Sequence, residues 1–526
     1  MKITRRAALK LGLASAGTIV PSLVWPESAQ ADEILSCDRP LCTHSPESSS
    51  PLSSPNSPSI PRFQQPLPIP TALKPTKVVN NTDYYEIVMQ QRTLEIVPAQ
   101  NGQPAIAAQF WTYNGSIPGP LIRQPKNRQS CLRFINQLGV DQNEDPICTS
   151  VHLHGMASLP QYDGYAEDLT QPGEYKDYYY PNNRASILWY HDHAVHRTSR
   201  NVYMGLAGMY IVEYAREDFC GQPQTIPLPS SEFEIPLILM DKTLKHNDKG
   251  WQLVFNNRRE KGVYADILLV NGKPWPYLKV KRRKYFFRLL NASTSRTFQL
   301  TLSTEPEQFP SAEKHSTQTG DPAKFFVVGS DAGLLEKKVE RFGADHPLRM
   351  GVAERYGIVI DFAQFLPGVK HVYLRNLPFS GNLGANSPVV MRFDLEDDPV
   401  ADPLDLPDNL GILTQQSALI QAAIRPTRVF QFGRGIAGLS TQWTINNRTW
   451  NRNFVAAELN LCDTEIWELR NMGGWTHPVH IHLIDFQIIS RNGLPPLPYE
   501  TGWKDVVVLQ DFERVLVVAR FAPHRG

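Results

Sequence analysis

A short phrase recurs three times along the chain, and it fixes most of what the chain can fold into. Asn114-Gly115-Ser116-Ile117-Pro118-Gly119-Pro120 precedes Leu132-Arg133-Phe134-Ile135-Asn136. Asn271-Gly272-Lys273-Pro274-Trp275-Pro276 precedes Phe287-Arg288-Leu289-Leu290-Asn291, and Asn446-Asn447-Arg448-Thr449-Trp450-Asn451 precedes Trp467-Glu468-Leu469-Arg470-Asn471. Each pair reads as a turn and then, roughly 20 residues on, a strand that ends in Asn. The copies lie roughly 160 to 175 residues apart, which is the size of a domain. Three copies in the same order point to three repeated β-sandwich domains. The 526-residue length alone sets a prior of about three domains. Short runs rich in Val, Ile, Phe and Tyr predict strands at Tyr84–Val97, Ser130–Asn136, Tyr285–Asn291, Phe325–Val328, Tyr356–Phe362, Val506–Leu509 and Val515–Phe521. The 33 Gly and 43 Pro supply turns between them, and no long helical period stands out.

Upstream of the repeats the composition changes twice. Arg5-Arg6, an apolar run from Leu11 to Trp25 and Ala29-Gln30-Ala31 read as an export signal over residues 1–31, with paired arginines of the twin-arginine kind. The run is too short, and too interrupted by Gly and Pro, to span a membrane. Residues 32–76 are Ser/Pro-rich and predict a disordered arm. The domains then fall at 77–216, 217–398 and 399–526. Lys+Arg total 53 against 52 Asp+Glu, so nucleic-acid and anionic-membrane binding are disfavoured. A periplasmic or extracellular location is expected.

Seven of the 14 histidines fall in three short clusters: His152-Leu153-His154, His191-Asp192-His193 and His477-Pro478-Val479-His480-Ile481-His482. Residues i and i+2 of a strand share a face about 7 Å apart, which suits holding two neighbouring ions rather than gripping one. Imidazole-only ligation suits copper or zinc. A single His-x-His is weak, but the first and third clusters each follow the Asn-ending strand of their repeat. The first and third domains are therefore expected to face each other across a metal cluster.

From about Tyr84 onward the sequence resembles the multicopper oxidases, in particular the three-domain bacterial laccases of the spore-coat type and the bilirubin oxidases. The three clusters carry the resemblance, with Asn201-Val202-Tyr203-Met204-Gly205-Leu206-Ala207-Gly208, Val270 to Tyr277, Ala353-Glu354-Arg355-Tyr356 and Gly502-Trp503-Lys504-Asp505. It implies an all-β chain of three tandem cupredoxin-like Greek-key sandwiches. It implies that His152 and His480 bind the type 2 copper, that His154, His191, His193 and His482 bind the type 3 pair, and that His477 is a type 1 ligand receiving the electron from substrate. Asp163, in Asp163-Gly164-Tyr165, matches an acid that relays protons to dioxygen, although Asp before Gly is also a common turn pairing. His196 matches no ligand. The implied partners are a small phenolic or pigment-like electron donor and dioxygen, reduced to water by a monomer.

The family's His-Cys-His motif is not in residues 1–526: none of Cys37, Cys42, Cys131, Cys148, Cys220 or Cys462 lies between histidines. Pro181-Asn182-Asn183-Arg184 comes ten positions before His191 in the first repeat, and Pro523-His524-Arg525-Gly526 looks like the same approach in the third. The expectation is a truncated third domain without its C-terminal strands, hence without type 1 and part of the type 3 ligands, and an impaired oxidase. Alternatives are a metal-ion oxidase of the same family, weakened by the absence of Met-rich inserts, or a non-catalytic exported binding protein. A nitrite reductase would need a type 1 Cys in the first domain, and paired His-x-His across repeats fits a zinc hydrolase poorly.

Overall fold

In the computed structural model each copy of the repeated phrase builds the same four-strand unit. A leading strand (Thr82–Val97, Glu234–Lys242, Arg425–Arg434) pairs antiparallel with the strand that enters the phrase (Ile106–Tyr113, Ile267–Val270, Trp443–Ile445). On its other side it pairs parallel with the Asn-ending strand (Gln129–Gln137, Lys284–Asn291, Thr464–Asn471). That strand in turn pairs antiparallel with Tyr175–Tyr180, Arg355–Asp361 and Arg514–Arg520. The structure describes residues 57–100, 102–213, 228–255, 262–305, 317–379, 387–397, 401–410, 416–423, 425–435 and 442–522. The expected signal and the arm up to residue 56 lie outside the described residues.

The repeated asparagines are there for two physical reasons. Asn114, Asn271 and Asn446 all take positive φ, +50°, +49° and +51°, which Asn tolerates better than most residues. Each side chain then bridges to the leading strand, accepting from the N–H of Val88, Ile238 or Gln431 at 2.7–2.8 Å. Its Nδ2 donates to the carbonyl two residues earlier, Glu86, Pro236 or Val429. The strand-ending Asn136, Asn291 and Asn471 likewise donate twice to backbone carbonyls and accept from the N–H two residues on. A third mark escaped the sequence reading. Glu174, Glu354 and Glu513 accept from the N–H three residues earlier, and their carbonyls accept from those same asparagines.

Each unit is backed by a second sheet. In the first domain it runs Gly119–Pro125, Ala207–Glu213, Ser186–Asp192, Val151–His154. In the second it has five strands, and in the third the described residues give two, His477–His480 and Val506–Leu509. The all-β, cupredoxin-like expectation holds, and the described residues add only two short α-helices, Thr198–Met204 and Gln416–Ala422. No helix among them is long and apolar enough to cross a membrane. Predicted strand positions agree within one or two residues.

Three segments depart from the expected divisions. Residues 57–76, read as the end of a disordered arm, are docked: Leu67 is buried, its N–H donates to Tyr277, and Leu73 donates to Leu121. Proline lacks a donor, but the residues between the prolines supply one. The hairpin Leu244–Asn247/Gly250–Leu253 extends the first domain's sheet through Trp251 and Ala108. Residues 401–410 lie on the second domain, where Leu406 and Leu410 are buried and Leu410 N–H donates to Glu336.

Candidate metal centre

The described residues belong to one compact unit, and within it the first and third domains bring six of the seven cluster histidines together. His154 stacks on His480 with ring centroids 3.6 Å apart, and His152 stacks on His482 at 4.0 Å. His191 lies 5.6 Å from His152, and His193 5.0 Å from His482. Potential ligand atoms of His152, His480 and His482 lie within 4.8 Å of one another, as do those of His152, His154 and His191. Only the first pair sits wholly on a regular strand. His193 follows the end of Ser186–Asp192, and His482 lies in the bend after His480.

Hydrogen bonds fix which nitrogen each ring presents. His152 Nδ1 donates to the Asp163 carbonyl at 2.5 Å, His191 Nδ1 to the Asp192 carbonyl at 2.8 Å, and His480 Nδ1 to the Asp505 carbonyl at 2.7 Å. His482 Nδ1 donates to the Asp163 carboxylate at 3.0 Å, and all four therefore offer Nε2. His154 is reversed: its Nε2 donates to the Asp505 carboxylate at 3.2 Å, leaving Nδ1. The arrangement is reciprocal. Asp163, of the first domain, holds His152 by its carbonyl and the third domain's His482 by its carboxylate. Asp505, of the third domain, holds His480 by its carbonyl and the first domain's His154 by its carboxylate.

Two glycines permit this closeness. A Cβ on Gly155, at φ +89°, would lie 2.6 Å from an Asp505 carboxylate oxygen and 2.9 Å from an Arg355 nitrogen. One on Gly164, at φ +76°, would meet the backbone of Val151 and His152.

Burial, reinforced by neighbouring imidazoles, holds His152, His154 and His191 well below the ordinary histidine range. It lowers His193 to about 4 and His480 to about 3. These rings are neutral at pH 7, so their lone pairs are available. His152 Nε2, His191 Nε2, His193 Nδ1 and His480 Nε2 are buried without a hydrogen-bond partner. Orphaned polar atoms of this kind cost about 1–3 kcal/mol each, which coordination would remove. Apart from the Asp505 carboxylate, which lies within ligand distance of His154 and His480 and is gripped by Arg355, the donor set is imidazole and fits copper or zinc.

His477 stands apart: its ring neighbours among the described residues are Trp443 at 4.4 Å and Phe432 at 6.3 Å. Burial lowers it to about 4, and its Nε2 is also unpartnered. Arg434 lies over both Trp443 and Trp475. His196 is exposed. Neither free thiol, Cys131 or Cys462, belongs to any group of ligand-distance side chains among the described residues, and Cys148 is disulfide-bonded.

Sequence reasoning missed the charges beneath the site. Asp505, Arg355, Asp331, Lys504 and Glu354 are all buried, and Arg355 holds both Asp505 oxygens at 2.6 and 2.5 Å. Burial alone would raise the Asp505 pKa, but Arg355 and His154 hold it well below the usual carboxylate range. The phrases Ala353–Tyr356 and Gly502–Asp505 were the available signal, noticed as a likeness without a physical role.

Comparison with known proteins agrees with this geometry. Two profiles described as multicopper oxidase match residues 98–217 and 424–525. The chain is 38% identical over 493 residues to a bilirubin oxidase of Albifimbria verrucaria, covering 89% of this chain and 78% of that protein. It is 30% identical over 525 residues to a laccase of Bacillus subtilis (strain 168), covering 88% and 94%. The solved laccase from Pediococcus acidilactici Pa5930 superposes with a TM-score of 0.71 at 26% identity, over 89% of this chain and 90% of that one. With three β-sandwiches, converging imidazoles and these likenesses in accord, the chain belongs to the multicopper oxidase family, whose members are copper oxidoreductases.

Proposed function

We propose that this chain belongs to the laccase-like or bilirubin-oxidase-like branch, which oxidises phenolic or pigment-type donors one electron at a time and reduces dioxygen to water. The observation that carries the reading is the set of neutral imidazoles from two domains whose unpartnered nitrogens converge. His152 and His480 are assigned to the type 2 copper, and His154, His191, His193 and His482 to the type 3 pair. His477 is assigned to the type 1 site. When bound, copper would supply the one-electron chemistry. Asp163 accepts from His482 and is partly exposed, so it is suited to pass protons inward from solvent. The aromatic faces of Trp443 and Trp475 and the Arg434 cation beside His477 favour an aromatic, anionic donor over a metal cation. The protein is read as a monomer exported to the periplasm or beyond by residues 1–31.

Residues 1–526 carry no cysteine between histidines, so a polypeptide of these residues is expected to take up copper with little oxidase turnover and no blue thiolate–copper absorption. The test is to compare it with the same chain extended by a His-Cys-His segment of the family's kind. Blue colour and dioxygen uptake with a phenol or bilirubin, above that with Fe(II) or Mn(II), supports the reading. Faster uptake with the metal ions would favour the metal-ion oxidase. Copper uptake with no turnover in the extended chain would favour the binding protein.

A further inference from the structure

The second domain contributes none of the seven cluster histidines, yet one of its side chains sits where all three domains meet. Arg355 is fully buried, and each of its five N–H donors has an acceptor. Nε donates to the Ile187 carbonyl of the first domain at 2.7 Å, on the strand that runs on to His191. Two more donate to the second domain's own Ala353 and Asp331 carbonyls at 3.1 and 3.3 Å. The last two grip the third domain's Asp505. Asp505 then holds one histidine from each side, His154 by its carboxylate and His480 by its carbonyl. Its counterpart, Asp163, touches the same kind of pair, but no arginine grips it among the hydrogen bonds and ion pairs of the described residues, and it is partly exposed. The two aspartates therefore differ in freedom, and only Asp505 is clamped.

We propose that Arg355 and Asp505 are positioning residues for the copper site, through which the second domain sets the ring orientation of His154 and His480 and presents His154 through Nδ1. The inference rests on the copper reading of the imidazole cluster. A bidentate guanidinium–carboxylate pair is directional where a lysine is a point charge, so Lys cannot substitute for Arg here.

The test uses the full metal-free chain titrated with Cu(II) against a competing chelator. Affinity, copper per chain, the electron paramagnetic resonance spectrum of bound Cu(II) and the melting temperature of the metal-free form are read together. Arg355→Met, Arg355→Lys and Asp505→Asn are compared with Lys504→Met. Lys504 belongs to the same buried charge group, bonding Asp331 at 2.9 Å and Glu354 at 3.0 Å, with no bond to a histidine among the described residues. Arg355→Met and Asp505→Asn should weaken Cu(II) binding about 10- to 100-fold and change the spectrum. Arg355→Lys should recover the melting temperature more than the affinity. Lys504→Met should lower the melting temperature and leave affinity and spectrum near wild type. Should Arg355→Met fail to fold, the near-isosteric Asp505→Asn carries the comparison. Wild-type copper affinity and an unchanged spectrum in Asp505→Asn would overturn the positioning role. Failure of the wild-type chain to bind Cu(II) would instead overturn the copper reading, and this inference with it.

Discussion

The three turn asparagines make an internally controlled experiment, because the same side chain does the same job in three surroundings. Asn271 is 4% exposed, and besides its two bonds to the leading strand it donates to the Pro68 carbonyl at 2.8 Å. The corresponding bonds of Asn114 and Asn446 are solvent-exposed. Truncating Asn271 to Gly removes the amide without a positive-φ penalty. It strands the Ile238 N–H and the Pro236 carbonyl away from water, at about 2 kcal/mol for the donor and about 1 for the acceptor, or about 3 in all, while the half-buried Pro68 carbonyl can turn to solvent. At Asn114 and Asn446 water replaces the lost partners, leaving about 1 kcal/mol. Ala in place of Gly should add about 1 kcal/mol at all three sites for the left-handed conformation.

A three-domain chain need not unfold in two states, so the measurement is hydrogen exchange of peptides spanning each leading strand. At about 1.4 kcal/mol per decade, Asn271→Gly should speed exchange around Ile238 by about a hundredfold. Asn114→Gly and Asn446→Gly should speed it around Val88 and Gln431 by about fivefold. Equal effects at the three sites would refute the hydrogen-bond account, because turn geometry, which the three share, would then be the whole cause.

Acid should destabilise the metal-free chain before most carboxylates protonate. The unfolded chain binds protons on His193, His477 and His480 near 6.5, whereas the folded values are about 4, 4 and 3. The stability they carry is therefore full above pH 6.5 and is lost as pH falls toward 4. At about 1.4 kcal/mol per pH unit per proton, these three cost about 4 kcal/mol between pH 6 and 5. A melting temperature flat from pH 7 to 5 would contradict this, and bound Cu(II) should move the loss to lower pH. Gly155→Ala adds a Cβ 2.6 Å from Asp505 at a positive φ, so it should cost about 2–4 kcal/mol; a melting temperature unchanged within error would contradict the close approach. In the His-Cys-His extended chain, Asp163→Asn should slow dioxygen uptake about 100-fold with copper content intact, whereas loss of copper would make Asp163 a holder of His152 and His482 rather than a proton path.

What could be read from the sequence was what is local. A left-handed asparagine that bonds the neighbouring strand needs only its own turn, so Asn114, Asn271 and Asn446 announced the repeat and, through it, the domains. Histidines two apart beyond a strand end announced the imidazole cluster for the same reason. Lys504, Asp505, Arg355 and Asp331 were not legible, since a charged side chain defaults to the surface and only a partner from a distant segment makes its burial tolerable. Asp505 is 150 positions from Arg355, and nothing near either residue specifies the other. The docked segment 57–76 fails in the opposite sense. Its Ser/Pro composition is that of a free arm, and its anchoring depends on backbone bonds to Trp275, Tyr277 and Leu121 that composition does not encode.

These two kinds of residue divide the work of building the site. The first domain supplies four of the six clustered imidazoles and the third domain two, so the cluster straddles a domain boundary. Ligand geometry then becomes only as accurate as the docking of two domains, and a site of this kind tolerates errors of about half an ångström. Asp163 and Asp505 answer that requirement by each orienting a ring from the opposite domain, so that a slip of the interface also turns the rings. Arg355 removes the remaining freedom on one side, because its donors are shared among all three domains and no single domain can shift without breaking a buried, charged hydrogen bond. Removing one partner of such a pair typically costs about 3–5 kcal/mol, more than a surface ion pair would resist. Copper loading and interdomain order should therefore rise and fall together, since the same few hydrogen bonds determine both.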